Sequence, residues 1–428
     1  MVPEYLIEVM LALRKYKERK RTIIGVFLVF CYIFSFYIVG SITSSMMAAA
    51  LILPYYCSDN GIYRLKNAFC HRYFAGLFGW LVFMMCMSIA FPCIIHSTYD
   101  LSYTKGIVGN IVQLICGVLI VHYMYDKLKT DFQTLLKLII LAYILQSVIQ
   151  IAASFTPQLA SFVSYFSRSE EIQEGTAGVR GLALSASTGW NLALSYGIVG
   201  ILYSYFYFTK KCGYMPAIGW ALLTVGCFFA GRTGLVGILV GLCYLILSGH
   251  SLRLFGIVCR IIVILLLLIA LVCALFPSYV EYAVLYLLPF ALEPVINLFE
   301  NNELSSRSTD ILFTMWDRPM NISEFFIGTG YFTGPDGHYY LHTDVGVLRN
   351  LFFWGIVGFI LLISYQIYLT YPLLKDRNTR LMAITVLGFL ALCECKAVAI
   401  GFNKFSFSIL FLLSSFLNFN RIPQTNHK

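Results

Sequence analysis

The stretch IIVILLLLIALVCALF, residues 261–276, decides the fold class of this chain because it contains no charged or hydrogen-bonding side chain. Such a run is stable only where lipid or protein interior surrounds it. The whole chain shares this bias, since 59% of its 428 residues are hydrophobic and 12% are charged. Ordinary soluble domains carry roughly 25% charged residues. We therefore predict an all-α polytopic membrane protein.

A helix that crosses a bilayer needs about 20 apolar residues, and the apolar runs predict twelve such helices. They lie near residues 23–39, 41–57, 75–96, 107–125, 134–156, 189–208, 215–231, 233–249, 255–276, 346–369, 380–397 and 401–418. A short surface helix is expected before the first of them, around Leu6 and Met10.

This pattern divides the chain into five segments. They are a basic N-terminal segment (1–22), nine transmembrane helices (23–276), a large loop (277–345), three transmembrane helices (346–418) and a tail (419–428). The loop is rich in aromatic residues, which argues against disorder, and we expect it to carry short helices outside the membrane.

Basic residues predict the orientation of the chain. Twenty-one of the 30 lysines and arginines lie in alternate connections and at the two termini, and they are too scattered to indicate nucleic-acid binding. Because positive charge concentrates on the cytoplasmic side, both termini are expected to be cytoplasmic. The large loop then faces outward.

Arginine outnumbers lysine among the outward basic residues, and its planar fork suits bidentate contact with phosphate. Arg307 is the sharpest candidate. It lies in SSRSTDILFTMWDRP (305–319), which reads as a short amphipathic helix capped by Ser305 or Ser306. An anion at the start of this helix would relieve the unfavourable interaction of Arg307 with the helix dipole. The alternatives are a local pair with Asp310 or contact with lipid headgroups.

Two more arginines lie next to predicted outward helix ends. Arg180 occurs in GVRGLALSASTGWN (178–191) and Arg232 in FFAGRTGLVGILVGL (228–242). Either is a candidate phosphate contact, or a loop residue that only touches headgroups. The glycines that follow Arg232 predict close packing against another helix. GTGYFTG (328–334) is interpreted as a turn, because it lacks the flanking strand and helix of a nucleotide-binding loop.

The stretch HTDVGVLRNLFFWGIVGFILL (342–362) places polar residues at the edge of a predicted membrane helix. If the helix begins near Thr343 or Asp344, then His342 and Arg349 share one face, and Asp344 is available as the N-cap. Histidine exchanges a proton near neutral pH, so His342 is a candidate base or substrate contact.

Together these motifs resemble the O-antigen polymerase and ligase superfamily, the Wzy-type integral-membrane glycosyltransferases. The resemblance is carried by GVRGLALSASTGWNLAL, AGRTGLVGILVGL, SSRSTDILFTMW followed by FFIGTGYF, and HTDVGVLRNLFFWGIVG, and it extends over about residues 175–360. It implies a polyprenyl-diphosphate-linked oligosaccharide as donor and a bacterial cytoplasmic membrane as location. It also implies that Arg180, Arg232 and Arg307 hold the diphosphate, with His342 near the start of the helix after the loop.

The expected function is polymerisation of lipid-linked repeat units of an O-antigen, capsule or exopolysaccharide on the outer face of the membrane. His342 and Arg307 are the expected catalytic residues, and Arg180, Arg232, Arg307 and Arg349 the expected diphosphate contacts. No metal or cofactor is required, because the donor is already activated. Expected partners are the bilayer and, in the same pathway, a chain-length regulator and a flippase. The alternatives are a ligase that transfers glycan to another acceptor and a flippase or transporter.

Overall fold

The computed structural model describes residues 4–57, 61–167, 182–209, 214–275, 293, 296–300, 302 and 307–419. Helices dominate this part of the chain: α1 (Glu4–Phe34), α2 (Ser44–Tyr56), α3 (Gly61–Phe69), α4 (Arg72–Ala90), α5 (Ser102–Asp126), α6 (Phe132–Phe155), α7 (Pro157–Tyr165), α8 (Trp190–Tyr203), α9 (Tyr214–Ala230), α10 (Arg232–Leu247), α11 (Ser251–Leu275), α12 (Arg307–Trp316), α13 (Ile322–Ile327), α14 (Gly346–Lys375), α15 (Arg380–Glu394) and α16 (Lys404–Phe419).

Short elements complete the described fold. A two-stranded antiparallel hairpin, β1 (Tyr37–Val39) and β2 (Ile42–Thr43), joins α1 to α2. Helix α4 continues as a π-helical turn over Phe91–Ile95, and α8 continues as another over Ser204–Phe208. The prediction of an all-α fold is confirmed apart from the small hairpin.

Five helices among the described residues are long and apolar enough to cross a membrane. They cover Arg72–Ile95, Ser102–Asp126, Phe132–Phe155, Leu254–Leu271 and Gly346–Lys375. The span within α11 is 11% buried despite a mean hydropathy of 3.1, so its apolar surface requires lipid or another apolar partner. A helix lies in each of the twelve predicted ranges, but α2 has only 13 residues, which is about 20 Å of helix. Twelve membrane crossings therefore stay a prediction.

The first helix differs from the prediction. Instead of a surface helix followed by a separate helix at 23–39, one continuous helix runs from Glu4 to Phe34. The apolar run beyond it leaves the helix because Ser35 adopts a φ of +43°. The next residues form the hairpin, and the N–H of Tyr37 donates to the carbonyl of Phe166, 3.2 Å away.

The connections between helices gather at two ends of the bundle. At one end, the N–H of Ala186 donates to the carbonyl of Phe34 (2.9 Å), and His96 Nε2 lies 3.0 Å from the carbonyl oxygen of Ile327. Helix α14 begins at this end, which we call the α14 end. At the other end, Arg64 contacts Asp126 at the end of α5. We call it the α3 end, because α3 lies there.

Helices α8 and α10 pack closely in parallel through glycines. A Cβ atom on Gly234 would lie 2.4 Å from the carbonyl oxygen of Ala193, and one on Gly237 would lie 2.3 Å from Cα of Gly197. Neither approach leaves room for a side chain, which confirms the close packing predicted from the glycines of α10. The starts of the two helices are consequently neighbours at the α14 end.

Helix α14 is broken eight residues after it begins. Trp354 has a φ of −138° and Gly355 a φ of +64°, so the hydrogen-bond ladder is interrupted there. The carbonyl of Phe352 instead accepts bonds from the backbone N–H and the hydroxyl of Thr329, and the carbonyl of Phe353 accepts from the N–H of Gly330. An interrupted backbone within a membrane-spanning helix needs hydrogen-bond partners of this kind from the protein. GTGYFTG forms a turn, as predicted, and this turn docks on the break.

Candidate functional site at the α14 end

The loop between α15 and α16, residues 395–403, connects several elements of the α14 end. The carbonyl of Cys395 accepts a hydrogen bond from Nε1 of Trp316, the last residue of α12 (3.1 Å). The carbonyl of Val398 accepts one from Nε1 of Trp190, the first residue of α8 (3.3 Å). The loop therefore fixes the helix that begins with Arg307 relative to the region of Arg232.

A buried carboxylate holds this loop against α14. Glu394 is 1% exposed, and its Oε2 accepts the backbone N–H groups of Ala399 (2.6 Å) and Ile400 (2.7 Å). Its Oε1 accepts Nδ2–H of Asn350 (2.8 Å), and Oδ1 of Asn350 accepts the hydroxyl of Tyr103 (2.8 Å). An ionised carboxylate is an acceptor only, and each of its partners here is a donor. Glu394 thus fixes the first turns of α14 to the loop.

Arg349 lies next to this network and is enclosed by aromatic rings. Its side chain is 7% exposed, and its Cζ lies 3.9 Å from the ring centre of Phe332 and 3.6 Å from that of Tyr339. Asp344 and Glu394 are near enough to act on the guanidinium electrostatically, yet no described carboxylate forms an ion pair with it. Nε of Arg349 has no hydrogen-bond partner among the described residues. A buried cation with an unpaired donor is a candidate contact for an anionic ligand.

The ring of Phe332 is held over Arg349 by a second carboxylate. Asp100 precedes α5, and its Oδ2 accepts the backbone N–H groups of Phe332 and Thr333, each at 2.7 Å. Its Oδ1 accepts the N–H of Ser102 (2.9 Å). The turn that docks on the break in α14 is thereby tied to the start of α5.

His342 lies at the surface beside the other ring that covers Arg349. It closes a 3₁₀ turn (Tyr340–His342), and its backbone N–H donates to the carbonyl of Tyr339 (2.8 Å). Its side chain is 67% exposed, and Nε2 lies 3.3 Å from Oδ2 of Asp336. The same turn of chain therefore positions two side chains. The Tyr339 ring covers Arg349, and the imidazole of His342, paired with Asp336, faces the solvent.

Two expectations about this stretch are wrong. Helix α14 begins at Gly346 with Val345 as its N-cap residue, so Asp344 does not cap it. His342 precedes the helix with a φ of +53°, so His342 and Arg349 do not lie on one helical face. Thr343 instead bonds through Oγ1 to the carbonyl of Met315 (3.4 Å), and this contact with α12 delays the start of α14.

The fold brings Lys396 to Thr233, the residue that follows Arg232. Nη1 of Arg232 lies 2.7 Å from Oε2 of Glu293, and both side chains are about three-quarters buried, at 22% and 26% exposure. The adjacent Thr233 accepts a hydrogen bond from Nζ of Lys396 (3.3 Å), which also lies 5.9 Å from the ring centre of Trp190. The starts of α8 and α10 and the loop 395–403 therefore form a basic cluster with an aromatic side.

The remaining predicted contacts are described in part or not at all. Arg307 is the first residue of α12, which confirms the predicted short helix, while its side chain and the cap residues Ser305 and Ser306 lie outside the described part of the structure. Leu312 and Met315 pack against Val345. Arg180 also lies outside the described residues.

The sequence did not reveal several residues of this site. Asp100, Asp336 and Glu394 are single carboxylates far apart in the chain, so no spacing pattern marked them. Lys396 belongs to none of the motifs in the sequence. Its neighbours Cys395 and Ala397 give no local signal of a site, and its contact with the start of α10 depends on the fold.

Comparison of the chain with protein-family models, with curated proteins and with solved structures gave no match. The family resemblance therefore stays a prediction, and the contacts at the α14 end are the basis for assigning a function.

Proposed function

We propose that this chain is a membrane glycosyltransferase that uses a polyprenyl-diphosphate-linked oligosaccharide as donor and polymerises its repeat units at the α14 end. The positive-inside pattern supports an outward position for this end and a cytoplasmic position for both termini, and the family resemblance supports a bacterial cytoplasmic membrane as the location. The observation that carries the proposal is Arg349, a guanidinium 7% exposed, stacked between two rings and without an ion-pair partner among the described residues.

A diphosphate matches the way in which Arg349 is held. Rings that cover the faces of a guanidinium leave its N–H groups in the plane available, and a planar fork pairs with phosphate oxygens in that plane. A mobile arginine would lose side-chain entropy on binding, whereas a clamped one has already lost it. Tyr339 is 49% exposed, so the site lies one ring away from the surface.

Other basic residues extend the diphosphate contact. Arg232 and Lys396 are brought together through Thr233, and Glu293 holds Arg232 in the absence of a ligand. A diphosphate would compete with Glu293 for this guanidinium. Arg307 begins α12, and the N-terminus of a helix favours an anion, while Arg180 remains in the proposal from the family resemblance.

The proposed reaction is a substitution at an anomeric carbon. A hydroxyl oxygen of the acceptor sugar forms a bond to the anomeric carbon of the donor, while the bond from that carbon to the diphosphate oxygen breaks. The hydroxyl proton passes to His342, and the lipid diphosphate leaves with the bonding electron pair. The developing negative charge is stabilised by the arginines, and a single preorganised donor of this kind contributes about 3–4 kcal/mol in other enzymes.

The pairing of His342 with Asp336 suits the role of a general base. A carboxylate beside an imidazole orients the ring and stabilises the protonated form once a proton has been taken up. The exposure of His342 allows an acceptor glycan to approach from outside the bundle. Contact with a sugar hydroxyl, without proton transfer, is the alternative role.

Two other functions use the same fold. A ligase would share the site and differ in its acceptor. A flippase or transporter is favoured by the break in α14, because discontinuous helices form the substrate sites of many transporters. The three donors around Glu394 hold its side chain in one position, and a fixed anchor at this point supports the transferase proposal.

Single replacements of His342 and Arg307 by alanine test the proposal in cells that depend on this chain for their polysaccharide. We expect each variant to shorten the ladder of glycan chain lengths toward single repeat units, at unchanged protein level. The matched control is Lys105→Ala, which removes an exposed basic side chain from the first turn of α5 at the same end. This control should leave the ladder unchanged.

The outcomes separate the candidate functions. Full-length polymer in both variants would show that the proposed site is wrong. Single repeats transferred to their final acceptor would support a polymerase over a ligase. Loss of lipid-linked repeat units from the outer face would support the flippase alternative instead.

A further inference from the structure

A cavity lies at the α3 end, on the side of the bundle opposite the proposed transferase site. Its volume is about 540 Å³, and Arg64 and Asn67 of α3, His122 and Asp126 of α5 and Phe419 of α16 are among the residues that line it. Ligand sites in proteins usually occupy about 300–1,000 Å³. The cavity is thus large enough for the headgroup of a lipid.

The wall of the cavity has an apolar side and a polar side. Tyr125 and Phe419 stack with ring centres 5.3 Å apart and an interplanar angle of 19°. Arg64 lies on the polar side of the wall. Its Nη1 lies 3.2 Å from Oδ2 of Asp126 and donates to the hydroxyl of Tyr55 (2.7 Å). Arg64 therefore has a fixed position and keeps N–H groups beyond those that contact Asp126.

The charge around the cavity is positive. Among the described residues 61–72 and 122–131 there are five basic side chains and two carboxylates. Lys66, Arg72, Lys127 and Lys129 are exposed, and Asp126 is already paired with Arg64 and Lys129. The excess of positive charge favours an anionic ligand.

Helix α3 has the character of a helix that lies in the membrane interface. It is short and amphipathic, and it exposes the apolar side chains of Ile62 (72%) and Tyr63 (59%) next to its basic residues. Such helices bury apolar side chains at the boundary of the acyl chains, with their basic residues among the headgroups. Because Tyr63, Arg64 and Asn67 of α3 line the cavity, a helix in this position would bring the cavity close to the lipid phosphates.

We propose that this cavity binds the phosphate headgroup of an anionic phospholipid, with Arg64 as its main contact and the stacked rings of Tyr125 and Phe419 against the glycerol and upper acyl chain. Basic pockets between membrane helices on the cytoplasmic side bind anionic lipid headgroups in other proteins. This site is independent of the proposed transferase activity, and it would stabilise the contact of α3 with α5.

The test uses the full chain purified in a neutral detergent, with its thermal unfolding followed after addition of phosphatidylglycerol or phosphatidylcholine. We expect phosphatidylglycerol to raise the midpoint temperature and phosphatidylcholine to leave it unchanged. Arg64→Gln should weaken the apparent affinity for phosphatidylglycerol at least fivefold. Asn67→Glu should do the same by adding negative charge while the Arg64–Asp126 pair stays intact, so the result does not depend on breaking that pair.

Lys20→Gln is the matched control, since it removes an exposed basic side chain of α1 away from the residues that line the cavity. It should keep the full response to phosphatidylglycerol. An undiminished response in both the Arg64 and the Asn67 variants would overturn the proposal, as would an equal response to phosphatidylcholine. Glycerol 3-phosphate that stabilises the chain as well as phosphatidylglycerol would show that the occupant is a free phosphate ester and not a lipid.

Discussion

Arg349 and Arg64 lie at opposite ends of the bundle, and their surroundings differ in burial and in how each positive charge is balanced. Arg349 is 7% exposed and stacked between two rings, and it forms no ion pair with a described carboxylate. The side chain of Arg64 is 41% exposed and lies 3.2 Å from a carboxylate oxygen of Asp126.

Burial raises the free-energy cost of an uncompensated charge, so Arg349 depends more than Arg64 on the residues that surround it. A solvated ion pair contributes only about 0–1 kcal/mol, because water and salt screen both charges. A buried guanidinium without a direct ion-pair partner is retained only where surrounding structure holds it in place. At the α14 end, the break in α14, the anchor Glu394 and the ring of Tyr339 supply that structure. The α14 end should therefore tolerate substitutions much less well than the α3 end.

The largest effect is expected at the break in α14. In Gly355→Ala, the added Cβ would lie 2.3 Å from the carbonyl oxygen of Phe326, at a φ of +64°. We expect the free energy of unfolding to fall by about 3 kcal/mol or more, because backbone strain and the clash add. Unfolding in mixed detergent micelles titrated with a denaturing detergent measures this change.

Gly388→Ala is the control for that measurement. Gly388 lies within α15, and no atom outside its own helix would contact the added Cβ within 4 Å. This variant should be more stable than the original chain by about 0.5–1 kcal/mol. Equal effects of the two substitutions would contradict the assigned role of the break.

The next comparison replaces two carboxylates, Glu394, which is buried, and Asp126, which is partly exposed. Glu394→Gln removes the charge that accepts two backbone N–H groups and Asn350, and we expect a loss of about 2–3 kcal/mol. Asp126→Asn at the α3 end should cost about 1 kcal/mol or less, because that ion pair is partly solvated. The same detergent titration applies to both variants, and a larger loss for Asp126→Asn would contradict the comparison.

A smaller effect is expected from the ring of Tyr339. Tyr339→Leu removes a cation–π contact with Arg349, which is worth about 1 kcal/mol where the cation is partly desolvated. In a double-mutant cycle with Arg349→Gln this loss should largely disappear, since the partner is already gone. Strict additivity of the two substitutions would show that the ring does not stabilise the guanidinium.

The smallest effect on stability is expected for Arg64→Gln in the absence of added lipid. The loss should be about 0–1 kcal/mol and should diminish further in 1 M salt, where the screening length is about 3 Å. A loss above about 2 kcal/mol, or one that salt does not change, would mean that Arg64 is as essential to its end of the fold as Arg349 is to the other.

The positions of the helices followed from the sequence because they depend on local runs of apolar residues. The start of α12 at Arg307 and the turn at residues 328–334 were also predictable, since serine, proline and glycine mark such boundaries within a few residues. The glycine face of α10 indicated close packing. The apolar run at residues 23–39 was misleading, because a hairpin of aromatic and β-branched residues has the same hydropathy as a helix.

The arrangement of the site was not predictable to the same degree. Arg349 was singled out, but its stacking depends on Phe332 and Tyr339, which precede it by 17 and 10 residues. Phe332 is in turn positioned by Asp100, which lies far away in the chain. The start of α14 was placed too early because a contact between Thr343 and Met315 decides it. Long-range contacts of this kind leave no periodic signal in one sequence.

The most direct test of the central claim is the binding of polyprenyl diphosphate to the purified chain in detergent, measured for the original sequence and for two single variants. We predict that Arg349→Gln weakens binding at least tenfold, which is about 1.4 kcal/mol, and that Lys105→Ala, which removes an exposed basic side chain at the same end, leaves it unchanged. Unaltered affinity in Arg349→Gln, or an equal loss in Lys105→Ala, would contradict the claim that the buried guanidinium at the α14 end holds the diphosphate.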